Sequence, residues 1–339
     1  MRYLLLFIFT LLTEALLACS CSFLGELSKT DIDKTDYIAL VRIKEILPAK
    51  VDSPKYYDAN SYFKIVIEEI SHYKGNHFTE IIVAGGHPKF NTWTSCDFGM
   101  NEKEEWMIFA QYDNGKPFVY PCWRTTQYRQ ADGFRDWQYQ RGLKEVVFLD
   151  SFFHRESPDI SRKGEVKYYF PNGNIEKIEH YRKGKLHGYI EYFFPDGKLY
   201  GKGFYHKGLL NRTFNWYYHD GAIEVRTTYN KGLKVDTSIY YIKYAKGYHP
   251  FFVTVYNKLG EVILFQEYGG DWQKRYLSRE TIYDPKAHKE KIIFYFEGGQ
   301  VRSIQYRVNK KDFGDYVEYD EQGKIIRQWK YDENGKVVK

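Results

Sequence analysis

The sequence YFPNG at residues 169–173 is followed 24 residues later by FFPDG at residues 193–197, and YHDG ends 24 residues after that at Gly221. Between these segments, YRKG, YHKG and YNKG end at Gly184, Gly208 and Gly232, so that glycines alternate at intervals of 11 and 13 residues. Glycine supplies the positive φ that tight hairpin turns require. The pattern predicts a sheet of consecutive β-hairpins built from stacked repeats.

The hairpin pattern weakens between residues 235 and 290 and then returns. Gly299 and Gly323 are again 24 residues apart, and Asn334-Gly335 marks a last turn. We expect a repeat domain over residues 163–339, after a linker at 151–162 that contains Ser157-Pro158. Its Tyr and Phe residues are expected to form structural cross-strand ladders. The alternative is a binding face for a peptide, a glycan or a membrane surface.

The composition favours β-structure and gives little sign of nucleic-acid binding. The chain has 33 Tyr, 24 Phe and 7 Trp, and Tyr and Phe are enriched in strands. Its formal net charge of +6 is spread over 339 residues, with no dense cluster of Lys and Arg. A nucleic-acid partner is therefore not expected.

Five strand-like runs precede the repeats. The last two flank Asp113-Asn114-Gly115-Lys116, a strong hairpin signal. After Cys122, apolar residues recur at helical spacing and predict a helix near residues 133–148. Five strands and a terminal helix are typical of an OB-type barrel, expected here over residues 19–150. The five runs are Tyr37–Ile43, Tyr62–Ile70, Glu80–Ala84, Glu105–Tyr112 and Pro117–Cys122.

Residues 1–18 have the pattern of an export signal, because Arg2 precedes an apolar run too short to span a bilayer. An even number of cysteines behind such a signal predicts two disulfides. The alternative is a thiol metal site at Cys19 and Cys21, although that pair is one residue closer than the usual spacing of zinc ligands. The four cysteines are Cys19, Cys21, Cys96 and Cys122.

The end of the leader has a second interpretation. Leu16-Leu17-Ala18-Cys19 also fits a bacterial lipobox, in which Cys19 becomes the acylated first residue. Acylation would use the thiol of Cys19 and leave an odd number of cysteines for pairing. We therefore favour a free N-terminus, with a lipid-anchored chain as the alternative.

The motifs behind the leader resemble the inhibitory domain of the tissue inhibitors of metalloproteinases, within the netrin-like OB-fold group. The order and the spacing of the motifs agree from Cys19 to Cys122. The segments that carry the resemblance are Cys19-Ser20-Cys21-Ser22, YIALVRI at 37–43, YKG at 73–75, SCDFG at 95–99, EEWMIFA at 104–110 and Cys122.

The resemblance implies the disulfides Cys19–Cys96 and Cys21–Cys122, while the family's third disulfide has no counterpart here. In the family, the free amine and the carbonyl of the first cysteine chelate the catalytic zinc of a protease, which keeps one position open. Cys19 would then chelate a partner's zinc and Ser20 would enter the specificity pocket. In the alternative interpretation the cysteines only staple the barrel. The implied protease-contact ridge is Cys19, Ser20, Cys21, Trp93, Thr94 and Ser95.

The second half of the chain resembles another known repeat. The sequence KGKLHGY at residues 183–189 resembles the MORN repeat and, more closely, the MORN-variant repeats of bacterial proteins, some of which are labelled antitoxin components. The expected fold class is therefore mainly β, with an OB-type barrel and its C-terminal helix followed by a MORN-like β-hairpin sheet.

The sequence contains none of the common catalytic motifs. His-Glu-x-x-His, Gly-x-Ser-x-Gly, a phosphate-binding loop and a dinucleotide fingerprint are all absent. Four histidines of the repeats show no metal-ligand spacing. We expect no enzyme, no cofactor and no metal site of the chain's own. The four histidines are His180, His187, His206 and His219.

These observations favour a secreted or cell-envelope protein that binds other proteins. The repeats would form a scaffold, and the clamped N-terminal ridge would contact a protein partner. One alternative is a metalloprotease inhibitor that chelates zinc through the amine of Cys19. The other is an envelope lipoprotein with a structural role, in which the membrane is reached only through a lipid on Cys19.

Overall fold

A computed structural model of the protein describes residues 26–50, 62–91, 98–120, 124–133, 141–154, 161–244, 247–270 and 274–338. The chain divides into two compact units. The first contains Glu26 and Asp33–Val146, and the second contains Leu27–Ile32 and the residues from Val147 onward. Helix α1, Lys29–Asp33, lies where the chain passes from the second unit into the first.

The first unit is a closed five-stranded barrel, as the sequence predicts. Strands β1 to β5 pair in the order β1-β2-β3-β5-β4, and β4 closes the ring by pairing with β1. The β3–β5 pair is parallel and the other pairs are antiparallel. A sixth strand, β6, adds to β4. The strands are β1 Tyr37–Ala49, β2 Tyr62–Lys74, β3 Glu80–Ala84, β4 Glu105–Asp113, β5 Lys116–Val119 and β6 Thr126–Arg129.

The barrel core follows the two-residue period of its strands. Tyr37, Ala39, Val41 and Ile43 of β1 alternate into one buried cluster with apolar residues of the other strands. The predicted hairpin between β4 and β5 is also present, with Asp113 paired to Lys116. Its two central residues, Asn114 and Gly115, both have positive φ, which is the geometry of a type I′ turn.

A helix follows the barrel, although it lies further along the chain than predicted. Helix α2 spans Arg141–Phe152, whereas the apolar spacing had placed it near residues 133–148. The apolar spacing is satisfied by Leu143, Val146 and Val147, which are buried, and the helix continues past them through Phe148 and Leu149, which are buried as well.

The second unit contains one antiparallel sheet of 17 strands, and its strands from β10 onward follow the chain order as a meander. The prediction of consecutive hairpins is confirmed. The strands are β7 Gly164–Tyr169, β8 Ile175–Arg182, β9 Lys185–Leu186, β10 Gly188–Phe193, β11 Leu199–His206, β12 Leu209–Tyr217, β13 Ile223–Asn230, β14 Leu233–Tyr244, β15 Gly247–Tyr256, β16 Val262–Gly270, β17 Arg275–Asp284, β18 Lys289–Tyr295, β19 Val301–Val308, β20 Lys311–Asp312, β21 Gly314–Tyr319, β22 Ile325–Tyr331 and β23 Val337–Val338.

The lysine–glycine pairs form one kind of turn, which we term the Lys-Gly turns. In Lys183-Gly184, Lys207-Gly208 and Lys231-Gly232 both residues have positive φ, as two-residue type I′ hairpin turns require. The glycine N–H also reaches back one repeat along the sheet. Gly184 donates to the carbonyl of Arg162 at 2.9 Å, Gly208 to that of Leu186 at 2.8 Å, and Gly232 to that of Leu210 at 2.9 Å.

The other kind of turn, which we term the Asx-Gly turns, contains Asn172-Gly173, Asp196-Gly197 and Asp220-Gly221. The N–H of Gly173 donates to the carbonyl of Phe170, and the N–H of Phe170 donates to the carbonyl of Asn174. The same pair of bonds recurs around Gly197, Gly221, Gly260, Gly299, Gly323 and Gly335. The turn at Gly260 shows that the meander continues through residues 235–290, where the sequence period fades.

Side chains of the Asx-Gly turns tie neighbouring repeats together. Asn172 donates through Nδ2 to the carbonyl of Pro195 at 3.0 Å. One repeat further, His219 Nε2 lies 2.8 Å from Asp196 Oδ2, and then Lys243 Nζ lies 2.6 Å from Asp220 Oδ2. The hydrogen bond from Lys243 holds the pKa of Asp220 well below its usual range. Each of these contacts joins residues 23 apart in sequence.

Two glycines of β11 make room for aromatic rings of β12. A Cβ at Gly203 would lie 2.0 Å from Cδ2 of Phe214, whose side chain is buried. A Cβ at Gly201 would lie 2.6 Å from the ring of Trp216. These positions exclude larger residues through close approach of the rings.

We predict that Gly203→Ala destabilises the repeat sheet. Alanine in a strand gains about 0.5–1 kcal/mol over glycine, but overpacking a filled site costs about 1–3 kcal/mol, so the clash with Phe214 decides the sign. Urea unfolding of the full chain measures the free energy of unfolding, and Thr213→Ala, an exposed change on the neighbouring strand, serves as the control. Adding Phe214→Leu to Gly203→Ala should recover part of the loss. An unchanged or increased stability of Gly203→Ala would contradict the packing described.

Candidate interaction surface

The site residues predicted from the resemblance lie outside the described residues. These residues are Cys19, Ser20, Cys21, Trp93, Thr94, Ser95, Cys96 and Cys122. Their disulfide pairing and the protease-contact ridge therefore stay predictions. The described residues place the barrel behind that predicted ridge, and they locate a second candidate surface on the repeat sheet.

One face of the repeat sheet carries a series of aromatic rings, which we term the aromatic face. Tyr192 is paired to Gly201 and Gly201 to Trp216, so the rings of Tyr192 and Trp216 meet over the glycine at 5.6 Å. Phe214 stacks on Trp216 at 4.6 Å, and Tyr200 lies 4.9 Å from it. Offset and tilted ring pairs of this kind add to the stabilisation that comes from area burial alone. This part of the face is closely packed, and all four rings are buried.

The aromatic face continues through the strands in which the sequence period fades. Tyr240 of β14 is paired to Phe252 of β15, with ring centroids 6.1 Å apart. Phe252 stacks in turn on Phe265 of β16 at 5.5 Å. Tyr240 and Phe265 are only half-buried. The rings therefore present accessible apolar area here, in contrast to the first strands.

Charged pairs accompany the rings on this face. The guanidinium of Arg279 lies 5.4 Å from the ring centre of Phe265 and 3.0 Å from Glu267, its paired residue across the strands. Nearer the C-terminal end, Tyr316 and Trp329 stack at 4.1 Å. Aromatic residues and arginine are the residue types that contribute most of the energy in protein–protein interfaces. The combination makes strands β14–β22 a candidate binding surface.

The opposite face has a different character. Lys202 lies 2.9 Å from Glu191 and 5.0 Å from the ring centre of Tyr189. The hydrogen bond to Glu191 raises the pKa of Lys202. Tyr189 is about half exposed and forms an edge contact with Phe204. Single pairs of this kind between exposed strands are typical of a solvated face.

The C-terminal half of helix α2 covers one corner of the aromatic face. Ser151 Oγ accepts a hydrogen bond of 2.7 Å from the N–H of Leu210. Phe148 contacts Tyr229, and Lys234 lies 5.0 Å from the ring centre of Phe148. This corner is therefore occupied within the chain, which leaves the later strands as the accessible part of the face.

Arg275 holds together the strands in which the sequence repeat fades. Its guanidinium donates to the hydroxyl of Tyr244 at 2.7 Å and to the carbonyls of Tyr268 at 2.7 Å, Pro250 at 3.1 Å and Gly270 at 3.2 Å. The planar fork of arginine suits such convergent acceptors on neighbouring strands. No sequence signal marks this residue, because its acceptors are mainly backbone carbonyls.

The four histidines of the repeats lie near turns and strands, apart from one another in two of the four cases. His180 bonds the carbonyl of Tyr189 at 2.8 Å, and His219 pairs with Asp196. The rings of His187 and His206 lie 5.0 Å apart. Among the described residues, the side chains that could together hold a metal ion are in the barrel instead: Glu69, His72 and His77.

No helix within the described residues is long and apolar enough to cross a membrane.

Comparison with known proteins identifies the repeats. The MORN repeat variant family matches residues 162–183 and 186–207, which contain β8 and strands β9–β11. A comparison with curated proteins gives no match. The resemblance to MORN-variant repeats is thereby confirmed for this part of the chain, while the tissue-inhibitor resemblance of the barrel stays a prediction.

Solved structures resemble the chain only weakly. A GtfA/B complex bound to UDP and GlcNAc is 20% identical over 32% of this chain, with a TM-score of 0.22, and the chain spans only 22% of that structure's length. A putative 6-phosphogluconolactonase from Bacteroides fragilis is 10% identical over 93% of this chain and 100% of its own, with a TM-score of 0.14. At these scores the likeness does not establish a shared fold.

We predict that Arg275→Lys lowers the free energy of unfolding by about 2–3 kcal/mol, because one ammonium cannot replace the charged hydrogen bonds to four acceptors. Urea unfolding measures the loss, and Arg226→Lys on exposed β13 is the matched control. Equal stability of the two variants would show that Arg275 does not hold these strands.

Proposed function

We propose that this chain is an exported protein-interaction scaffold, which binds a protein partner through the aromatic face of strands β14–β22. The observation that carries the proposal is the row of half-buried rings beside Arg279 on a sheet of MORN-variant hairpins. In such a scaffold the repeats supply area, and a few aromatic and arginine side chains supply most of the affinity.

Export forms part of the proposal and rests on the sequence of residues 1–18. The mature chain would lie outside the cell or in the envelope, where the four cysteines can pair. The barrel supports a rigid N-terminal arm, because its closed ring has no mobile sheet edge for the arm to displace. The clamped arm would then offer a second contact with the same partner or another.

The surface proposal predicts a difference between the two faces. A photo-crosslinking amino acid at Phe265 should capture a partner in the native host, whereas the same group at Tyr189 on the opposite face should not. The combined variant Phe265→Ser and Arg279→Ala should weaken binding of the captured partner at least tenfold, since loss of a central anchor commonly costs about 2 kcal/mol or more. Lys202→Ala is the control.

Folding of the combined variant is checked by its urea midpoint. Crosslinks of equal yield from both faces, or unchanged affinity of the combined variant, would exclude the aromatic face as the binding surface.

Metalloprotease inhibition is the second candidate function. The five-stranded barrel supports it, because the strand order agrees with the OB-type scaffold that the resemblance implies. Inhibition requires cleavage after Ala18 and a free amine on Cys19, which an acyl group would block. An acylated Cys19 would instead support the structural envelope lipoprotein.

We predict an unblocked Cys19 and two disulfides in the protein isolated from its host. Intact mass and N-terminal sequencing, with and without reductant, measure both. A chain with a free Cys19 that inhibits a zinc protease should lose inhibition when its α-amine is acetylated, because the amide nitrogen no longer offers a lone pair. An acyl mass on Cys19 with one unpaired thiol would exclude inhibition by this route.

A further inference from the structure

Two histidines and a glutamate meet at one end of barrel strand β2. Glu69 and His72 lie on β2, and His77 follows in the loop before β3. One donor atom of each residue lies within 4.8 Å of the other two. Nδ1 of His77 is 2.5 Å from Oε2 of Glu69, and Nδ1 of His72 is 3.4 Å from the same oxygen. The two imidazole rings are 4.1 Å apart.

A bulge in β2 brings Glu69 and His72 to the same side of the strand. Residues three apart on a regular strand point to opposite faces. Here Val41 pairs with Glu69 and Leu40 with Ser71, so Ile70 is an extra residue without a partner on β1. The extra residue shifts the alternation by one, and His72 joins Glu69. Bulges often redirect side chains beside functional sites.

The hydrogen bond of His72 leaves one of its nitrogens bare. Nε2 of His72 lies 2.9 Å from the carbonyl of Gly75, which can only accept, so Nε2 is the nitrogen that carries the proton. Nδ1 then holds a lone pair that is closed off from solvent and has no hydrogen-bond partner. This lone pair faces the carboxylate oxygen of Glu69, an arrangement that favours a cation between the two atoms.

The surroundings fix Glu69 as a charged ligand. Its other oxygen accepts a hydrogen bond of 2.7 Å from the hydroxyl of buried Tyr37 and one of 3.3 Å from the N–H of Phe78. Burial alone would raise the pKa of Glu69, but the hydrogen bonds from His77, Tyr37 and Phe78 hold it below its usual range. Metal-binding carboxylates and histidines are commonly oriented by outer hydrogen bonds of this kind.

We propose that Glu69, His72 and His77 form a zinc-binding site. Two ligands at about 2.0–2.1 Å from a tetrahedral ion lie about 3.3 Å apart, close to the 3.4 Å between His72 Nδ1 and Glu69 Oε2. His77 has to move outward by about 1 Å to reach the same spacing. Its side chain is 78% exposed, so this adjustment displaces no packed neighbour. Two imidazoles and one carboxylate suit Zn²⁺ with water at the fourth position.

The site joins a loop to the barrel. His77 lies in the segment between β2 and β3, and a bound ion would connect that segment to β2 and, through Tyr37, to β1. Binding also displaces the proton shared between His77 and Glu69, so affinity should fall as the solution becomes more acidic. Neither consequence depends on the partner proposed for the repeat sheet.

Zinc titration of the full mature chain tests the site. The protein is first stripped with a chelator, and its thiols are alkylated so that cysteines cannot bind the metal. Competition with a chromophoric chelator should then give one site of micromolar or tighter Kd. Co²⁺ in place of Zn²⁺ should give the visible d–d bands of a four-coordinate ion. His77→Ala, on the exposed loop, should weaken zinc binding at least tenfold without changing the urea midpoint.

Two further variants separate a built site from chance binding by histidine. Glu69→Gln should also weaken binding at least tenfold, since it removes the charge and keeps the shape. His187→Ala, which removes one of the other close pair of histidines, should leave the affinity unchanged. Absence of zinc binding by the wild type, or equal binding by wild type, His77→Ala and Glu69→Gln, would overturn the proposal.

Discussion

The repeat sheet depends on the hydrogen bond that the glycine N–H of each Lys-Gly turn donates to a carbonyl 22 residues earlier. This bond needs the preceding lysine and the glycine itself to have positive φ, which turns the glycine N–H away from its own hairpin. Lysine pays a small steric cost in that conformation, and glycine pays almost none. Because the same bond recurs at Gly184, Gly208 and Gly232, each hairpin is positioned by the one before it. Stability in such an array is close to a sum of units and nearest-neighbour contacts.

The regular spacing of the turns also determines which residues share a face. Each Asx-Gly hairpin of the first repeats contains one bulged residue, at Glu176, Tyr200 and Glu224, again 24 residues apart. The bulge restores the alternation after the turn, so that rings from successive repeats stay on one side. Once the rings share a face, the glycines at 201 and 203 let them pack closely. Toward β16 the packing loosens, and the same face becomes accessible to a partner.

Much of the fold could be predicted from the sequence, because its determinants are local. Glycine positions marked the turns, apolar runs marked the five barrel strands, and Asn114-Gly115 marked the hairpin between β4 and β5. The terminal helix was predicted too early in the chain, since spacing alone could not show that it continues through Phe152. Arg275 was missed because its partners are carbonyls on strands that the fading period left undefined. The cysteine positions carried the functional hypothesis, and they lie outside the described residues.

The cluster at Glu69 could not be predicted for a different reason, which concerns the marking of bulges. In the repeat sheet a bulge follows a glycine turn and recurs, so the sequence announces it. The bulge at Ile70 occurs once, within an apolar strand, and no glycine or proline signals it. Without it, Glu69 and His72 belong to opposite faces, and three residues with metal-ligand chemistry are read as unrelated. A solitary bulge therefore joins chemical groups that sequence spacing separates, and this is the point at which the structure adds most to the sequence.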